Sequence, residues 1–293
     1  RHGGFTDDVI GALLKLQYHL AVAAKMAVLG KLADNMLTTY LGSSAGRRVM
    51  SGQVRRGDGE TVRAILVMGD MRRSTMLAEK EGRQSYIETL NTYFDAIAAP
   101  FNRNGGHILS FVGDGFIAVY PCGRHKEPSE FAAREAFAAV RAATARMDML
   151  NGERRKQARD PIGYGIGLHV GNVMFGNVGL RDRLTFSAFG SAVNEVQRLQ
   201  NLTKKYAHSV VASEAFVNYC GGDWTALGQE KLRGVRQKFT ILYPNDAALL
   251  ARADERFDDV LQDGLSEAEH VMLLHRNTRP LQPPRGLIDK MLQ

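Results

Sequence analysis

Residues 105–120, GGHILSFVGDGFIAVY, constrain the fold more than any other stretch of this chain. Two short apolar runs flank Gly113-Asp114-Gly115. Glycine accepts the positive φ of a tight turn, so the stretch predicts a β-hairpin with Asp114 at its tip. A second apolar run, Ala64–Met68, reads as a buried strand and also leads to a carboxylate, Asp70. Taken singly, Asp114 reads as an exposed turn residue and Asp70 as a strand-end cap. Together, two strand-end carboxylates on one sheet can hold a hard divalent cation. Mg²⁺ takes one or two carboxylates, with water and substrate phosphates completing its shell.

The remaining pattern places this hairpin in a larger sheet. Apolar residues at helical spacing predict helices over 85–102, 129–150 and 192–206. Strands are expected at 63–69, 162–170, 173–178, 184–189 and 209–212, with a last pair near 224–230 and 238–243. This alternation predicts a mixed α/β layer fold around one sheet. Residues 151–160 read as a charged loop. Along 162–170, Gly163, Gly165, Gly167 and His169 share one face, open either to a ligand or to a tightly packed helix. His169 reads as a packed or solvent-facing histidine. Residues 7–39 predict a helix, either packed on its own domain or acting as a signalling and dimerising element. The Gly- and Arg-rich segment 41–60 reads as a linker with a short helix.

Lys and Arg number 38 against 31 Asp and Glu, a net charge of +7 that suits an anionic substrate. The charge is spread along the chain, without the dense basic stripe of nucleic-acid binders, so no nucleic-acid partner is expected. Cys122 and Cys220 are too few for a disulfide framework, which points to a reducing, cytoplasmic compartment. No apolar run is expected to reach the length of a membrane span. The chain opens on Arg1, so an upstream region is expected. No Walker-type phosphate loop is present, which argues against a P-loop enzyme.

Five stretches, in order, resemble the class III adenylate/guanylate cyclase catalytic domain: ILVMGDMRRST, LNTYFDAI, GGHILSFVGDGFIAVY, GIGLHVGNVMFGNVG and FSAFGSAVNEVQRLQ. The resemblance covers residues 63–243 and implies an α+β fold: a ferredoxin-like (palm-like) mixed sheet flanked by helices, behind an N-terminal signalling helix. The implied organisation is an N-terminal helix and linker over 1–60, at the end of an upstream sensor region. A cyclase domain follows over 61–245, then a C-terminal tail over 246–293. By the same resemblance, Asp70 and Asp114, with the Met71 carbonyl, hold two divalent cations, Mg²⁺ or Mn²⁺. Asn194 meets the ribose and Arg198 the α-phosphate, one helical turn apart. Ser74 and Thr75 offer amides to phosphate, and Arg233 stands where the family has a lysine for the terminal phosphates. The substrate is then a nucleoside triphosphate, ATP first, shared between the two chains of a homodimer.

Two positions depart from the family pattern. Ser110 replaces the base-reading lysine, and Ser187 stands for an aspartate or threonine. A short hydroxyl cannot supply the lysine's charge, so GTP or a pyrimidine nucleotide stays open beside ATP. A rival from another class is a regulatory module that holds nucleotide without turnover. A palm-type polymerase or diguanylate cyclase is disfavoured, because no GG-(D/E)-(E/D)-F signature is present.

Overall fold

A computed structural model describes residues 5–123, 125–232 and 238–245. The elements follow in the order α1 (Asp7–Met50), β1 (Gly59–Arg72), α2 (Ser74–Glu81), α3 (Arg83–Ile97), α4 (Ala99–Arg103), β2 (His107–Val112) and β3 (Gly115–Cys122). Then come α5 (Lys126–Lys156), β4 (Gly163–Gly179), β5 (Leu184–Phe189), α6 (Ser191–Tyr206), β6 (Val210–Ser213), α7 (Glu214–Cys220), β7 (Trp224–Lys231) and β8 (Lys238–Pro244). The mixed sheet runs β2-β3-β1-β4-β6-β8-β7, with β5 paired to the far end of β4. This is the expected mixed sheet flanked by helices.

β1 lies at the centre, antiparallel to β3 on one side and to β4 on the other. Ala64, Ile65, Leu66 and Val67 have no exposure, because helices cover both faces. On one face, Ala64 and Leu66 pack with Val173, Ala192 and Val196, the last two from α6. Strand alternation turns Ile65 and Val67 to the other face, where α3, α4 and α5 carry the buried Tyr93, Ile97, Phe101 and Val140.

The glycine face of β4 is where α6 seats. A Cβ on Gly167 would stand 2.6 Å from the Gln200 backbone nitrogen, a clash that only a shift of the helix could relieve. Of the two readings of those glycines, tight helix-on-sheet packing is the one observed. A side chain there would lift α6 off the sheet.

Several boundaries differ from the sequence expectation. The segment read as a linker is helical as far as Met50, and α1 turns at Gly42, whose φ of 81° leaves the helical region. The second piece folds back, so that Gly46 packs near the Leu37 backbone. The single helix expected over 85–102 is divided at Ala98, with Pro100 in the first turn of α4. α5 continues to Lys156 through the expected charged loop, because Asn151 and Arg154 are buried anchors rather than loop residues. β4 is one strand where two were expected. α7 was not anticipated; the Ser213 hydroxyl caps it by accepting from the Phe216 amide.

The expectation that no segment reaches membrane-span length is corrected by α1. This helix is long and apolar enough, over at least 18 residues, to cross a membrane by length and composition. Its side chains at Leu13, Leu20, Met26, Leu29 and Met36 are exposed. The reason is continuity: Lys15, Lys25 and Lys31 interrupt the apolar run only singly, and the helix is not broken at them.

Candidate active site

The register of β1 and β3 sets the two carboxylates side by side. Asp70 pairs with Gly115, the first residue of β3, so Asp114 falls in the β2–β3 turn beside Met71 of β1. The Met71 amide closes the arrangement by donating to the Asp114 carbonyl at 3.3 Å. Gly115 matters here because a Cβ at that position would lie 2.9 Å from the Gly69 carbonyl and 3.3 Å from Asp70 Oδ1. Glycine therefore lets the hairpin close against the carboxylate.

The electrostatics of this pair are unfavourable without a cation. Burial lifts the Asp70 carboxyl above the ordinary aspartate range, and the Asp114 charge lifts it further. Lys204 Nζ, 3.4 Å from Asp70 Oδ2, opposes both. Two half-buried oxygen donors repelling one another fit a hard divalent ion, which would relieve the repulsion. Among the described residues no cluster of three or more His, Cys, Asp or Glu side chains exists. The oxygen donors gathered here, two carboxylates and neighbouring backbone carbonyls, are of the kind Mg²⁺ usually takes beside a phosphate substrate.

Ser74 and Thr75 open α2, directly after Arg73, whose φ of 59° turns the chain out of β1. Ser74 hydrogen-bonds the Tyr86 hydroxyl; burial and then the Asp114 charge raise the Tyr86 pKa, an effect that bond opposes. Arg72 points away from this region and donates to the carbonyls of Thr203, at 3.0 Å, and His208, at 2.7 Å. It ties the end of α6 to the end of β1. Behind α2, Glu81 accepts from Arg154 at 2.7 Å and Thr89 at 2.7 Å, and pairs with Arg159 at 3.0 Å. Burial alone would raise the Glu81 pKa, but those hydrogen bonds outweigh it and hold the carboxyl below its usual range.

Asn194 and Arg198 sit on α6, and no hydrogen bond or ion pair among the described residues joins either of them to Asp70 or Asp114. Ala192, Val196, Leu199, Gln200 and Thr203 form the buried, sheet-facing side of that helix. Asn194 is exposed and Arg198 half-buried, on the side turned away. Ser110 lies on β2 opposite Ile117, beside an irregularity in register, and Ser187 lies on β5 opposite Gly176. β2 and β5 touch. Arg233 lies outside the described residues, as does the tail over 246–293.

A family model described as the adenylate and guanylate cyclase catalytic domain matches residues 60–243. This chain belongs to that family. The chain is 30% identical over 166 residues to Adenylate cyclase 1 of Rhizobium meliloti, a match covering 55% of this chain and 24% of that relative. An adenylate cyclase of Anabaena cylindrica is 28% identical over 165 residues, 55% of this chain and 31% of the relative. The matched part is thus less than a third of either relative. In fold, the chain is similar to a bacterial light-regulated adenylyl cyclase, with TM-score 0.63 and 21% identity over 80% of this chain and 64% of that one. The guanylyl cyclase Cya2 matches with TM-score 0.54 and 22% identity over 63% of this chain and 92% of that one.

Sequence reading of the cyclase did not single out Lys204, Tyr86 or Glu195. Lys204 was legible only as one of two lysines in the last turn of α6, and Tyr86 only as an apolar-face residue of α3. Nothing local marks either as a neighbour of a carboxylate, because the contacts cross long stretches of chain.

Proposed function

We propose that this cyclase converts ATP into 3′,5′-cyclic AMP and pyrophosphate, in signal transduction, at two equivalent sites of a homodimer. The observation that carries the reading is the closeness of Asp70 on β1 to Asp114 in the β2–β3 turn, in a chain of this family. The ribose 3′-oxygen attacks the α-phosphorus, the bond to the β-phosphate breaks, pyrophosphate leaves, and the hydroxyl proton is released. Two divalent cations held by Asp70, Asp114 and the Met71 carbonyl would supply an acidified hydroxyl and neutralised phosphate charge. Arg198 donates its planar fork to the α-phosphate oxygens while staying charged. Asn194 orients the ribose. Ser74 and Thr75 meet phosphate at the start of α2, Arg233 meets the terminal phosphates, and Ser110 with Ser187 faces the base.

The homodimer is supported by the arrangement within one chain. Among the described residues no hydrogen bond or ion pair joins Asn194 or Arg198 to Asp70 or Asp114, which fits a site completed by each half from a different copy. The N-terminal segment 1–60 sets the geometry of the pair, the catalytic domain spans 61–245, and the reaction takes place in the cytoplasm. A second reading keeps the chemistry and changes the base: Ser110 lacks the lysine's charge, which favours GTP or a pyrimidine nucleotide. The test is turnover of ATP, GTP, CTP and UTP with Mg²⁺ and with Mn²⁺, products identified by mass spectrometry. Cyclic AMP, lost in Asp114→Ala, supports the proposal. Another cyclic nucleotide supports the second reading, and nucleotide binding with no cyclic product overturns both.

A further inference from the structure

A buried three-residue chain joins α6 to the sheet. His169 on β4 hydrogen-bonds Ser213 Oγ through Nδ1 at 2.8 Å and Glu195 Oε2 through Nε2 at 2.9 Å. His169 is 3% exposed and Ser213 not at all. The Phe239 ring shields the imidazole edge-on at 5.7 Å. The composition is that of a hydrolase triad, but no substrate reaches a serine oxygen that is fully enclosed and already accepts from the Phe216 amide at 3.3 Å. Donors and acceptors balance in one way without a buried charge on the imidazole. The Ser213 hydroxyl donates to Nδ1, and Nε2–H donates to the Glu195 carboxylate.

The placement of Glu195 gives this chain its use. Glu195 directly follows Asn194 and precedes Arg198 by three positions, on adjoining faces of α6. Its carboxyl is held below the usual range chiefly by the His169 hydrogen bond, with the Arg198 charge adding to the effect against burial. Around Asn194 and Arg198 the other seats of α6 on the sheet are apolar, through Ala192, Val196 and Leu199, while its remaining polar ties, from Gln200, Thr203 and Lys204 to β4 and β1, lie toward its C-terminal end. Apolar contacts resist separation but are non-directional and permit roll about the helix axis. A hydrogen bond has a preferred direction. From this we infer that His169, braced by Ser213, fixes Glu195 and so sets the roll of α6 that presents Asn194 and Arg198. His169 and Glu195 are positioning residues, and the inference rests on the proposed roles of Asn194 and Arg198.

Misplacing a transition-state group by about 1 Å can cost on the order of a hundredfold in rate. The experiment measures kcat and KM for ATP per folded chain in the full-length wild type, His169→Ala, His169→Gln, Glu195→Ala, the His169→Ala/Glu195→Ala double variant and Arg198→Ala. His169→Ala and Glu195→Ala are each expected to lower kcat about tenfold with KM within about twofold, because the orientation matters most in the transition state. The double variant should be no worse than either single one, as expected for one coupled unit. His169→Gln, which keeps one acceptor and one donor, should recover most of the loss. Wild-type kcat in Glu195→Ala, or additive losses in the double variant, overturns the inference; Glu195→Ala decides alone if His169→Ala does not fold. An inactive Arg198→Ala beside a fully active Glu195→Ala sinks only the positioning role. An active Arg198→Ala, or a wild type without turnover, sinks the functional reading on which it rests.

Discussion

The two halves of the candidate site are built in opposite ways. The aspartate half lies at the end of the central strand, where β-sheet register and Gly115 press two carboxylates together against their repulsion. The Asn194–Arg198 half stands on the outer side of a helix, its place set by what lies beneath: a glycine face, apolar contacts and the His169–Glu195 bond. One half has local geometry and stored electrostatic strain. The other has exposure and depends on a packed support.

The most severe way to test this contrast is to disable each half separately. Asp114→Ala and Arg198→Ala should each lower turnover by about a thousandfold or more, since each removes an electrostatic contribution to the transition state. Mixing and reassociating the two inactive chains should return about a quarter of wild-type activity, because half of the dimers then contain one intact site of two. Activity that stays absent in the mixture, with dimers verified by light scattering, would mean that the halves do not meet across copies.

The support of the aspartate half is open to a smaller perturbation. Glu81→Gln leaves the Arg154 guanidinium without its carboxylate behind α2 and should cost about 3 kcal/mol of stability at neutral pH. The Glu81 pKa is depressed by folding, so its contribution is present above the unfolded-state value and is lost as the pH falls through the folded one. The gap in urea stability between wild type and Glu81→Gln should therefore be widest near neutrality and close in acid. A gap that widens in acid would contradict the assignment.

On the helix half, Gly167→Ala should cost about 2 kcal/mol by overpacking against the α6 backbone. It should lower kcat more than a comparable surface substitution, read by thermal unfolding alongside turnover. The smallest effect concerns the base. Ser110→Lys, supplying the cation that the family pattern has there, should raise the ratio of kcat/KM for ATP over GTP by about tenfold. An unchanged ratio would detach Ser110 from base reading.

Much of the fold was legible in the chain. The Asp-Gly hairpin, the buried run Ala64–Met68 and the period of α6 each carry their structure in local spacing. The candidate site was half legible. Asp70 and Asp114 were found because strand-end carboxylates after apolar runs are visible one at a time. Lys204, Tyr86 and the His169–Glu195–Ser213 chain were not, since each contact joins elements far apart in sequence. The short helix expected in the linker is there, but its extent to Met50 was not legible, because the Gly- and Arg-rich composition resembles a loop. Its helical path follows from folding back, which buries Ala45 and Gly46.

By itself, the sequence determined which segments are strands and helices, since side-chain periodicity and glycine placement act over a few residues. It also determined where the carboxylates and guanidinium groups stand along the chain, since side-chain identity is covalent. Only the tertiary structure decided that Asp70 and Asp114 stand together, that the β4 glycines receive a helix, and that Asn194 and Arg198 turn away from the sheet. Those outcomes depend on strand register and helix roll, and both are set by packing the whole sheet at once.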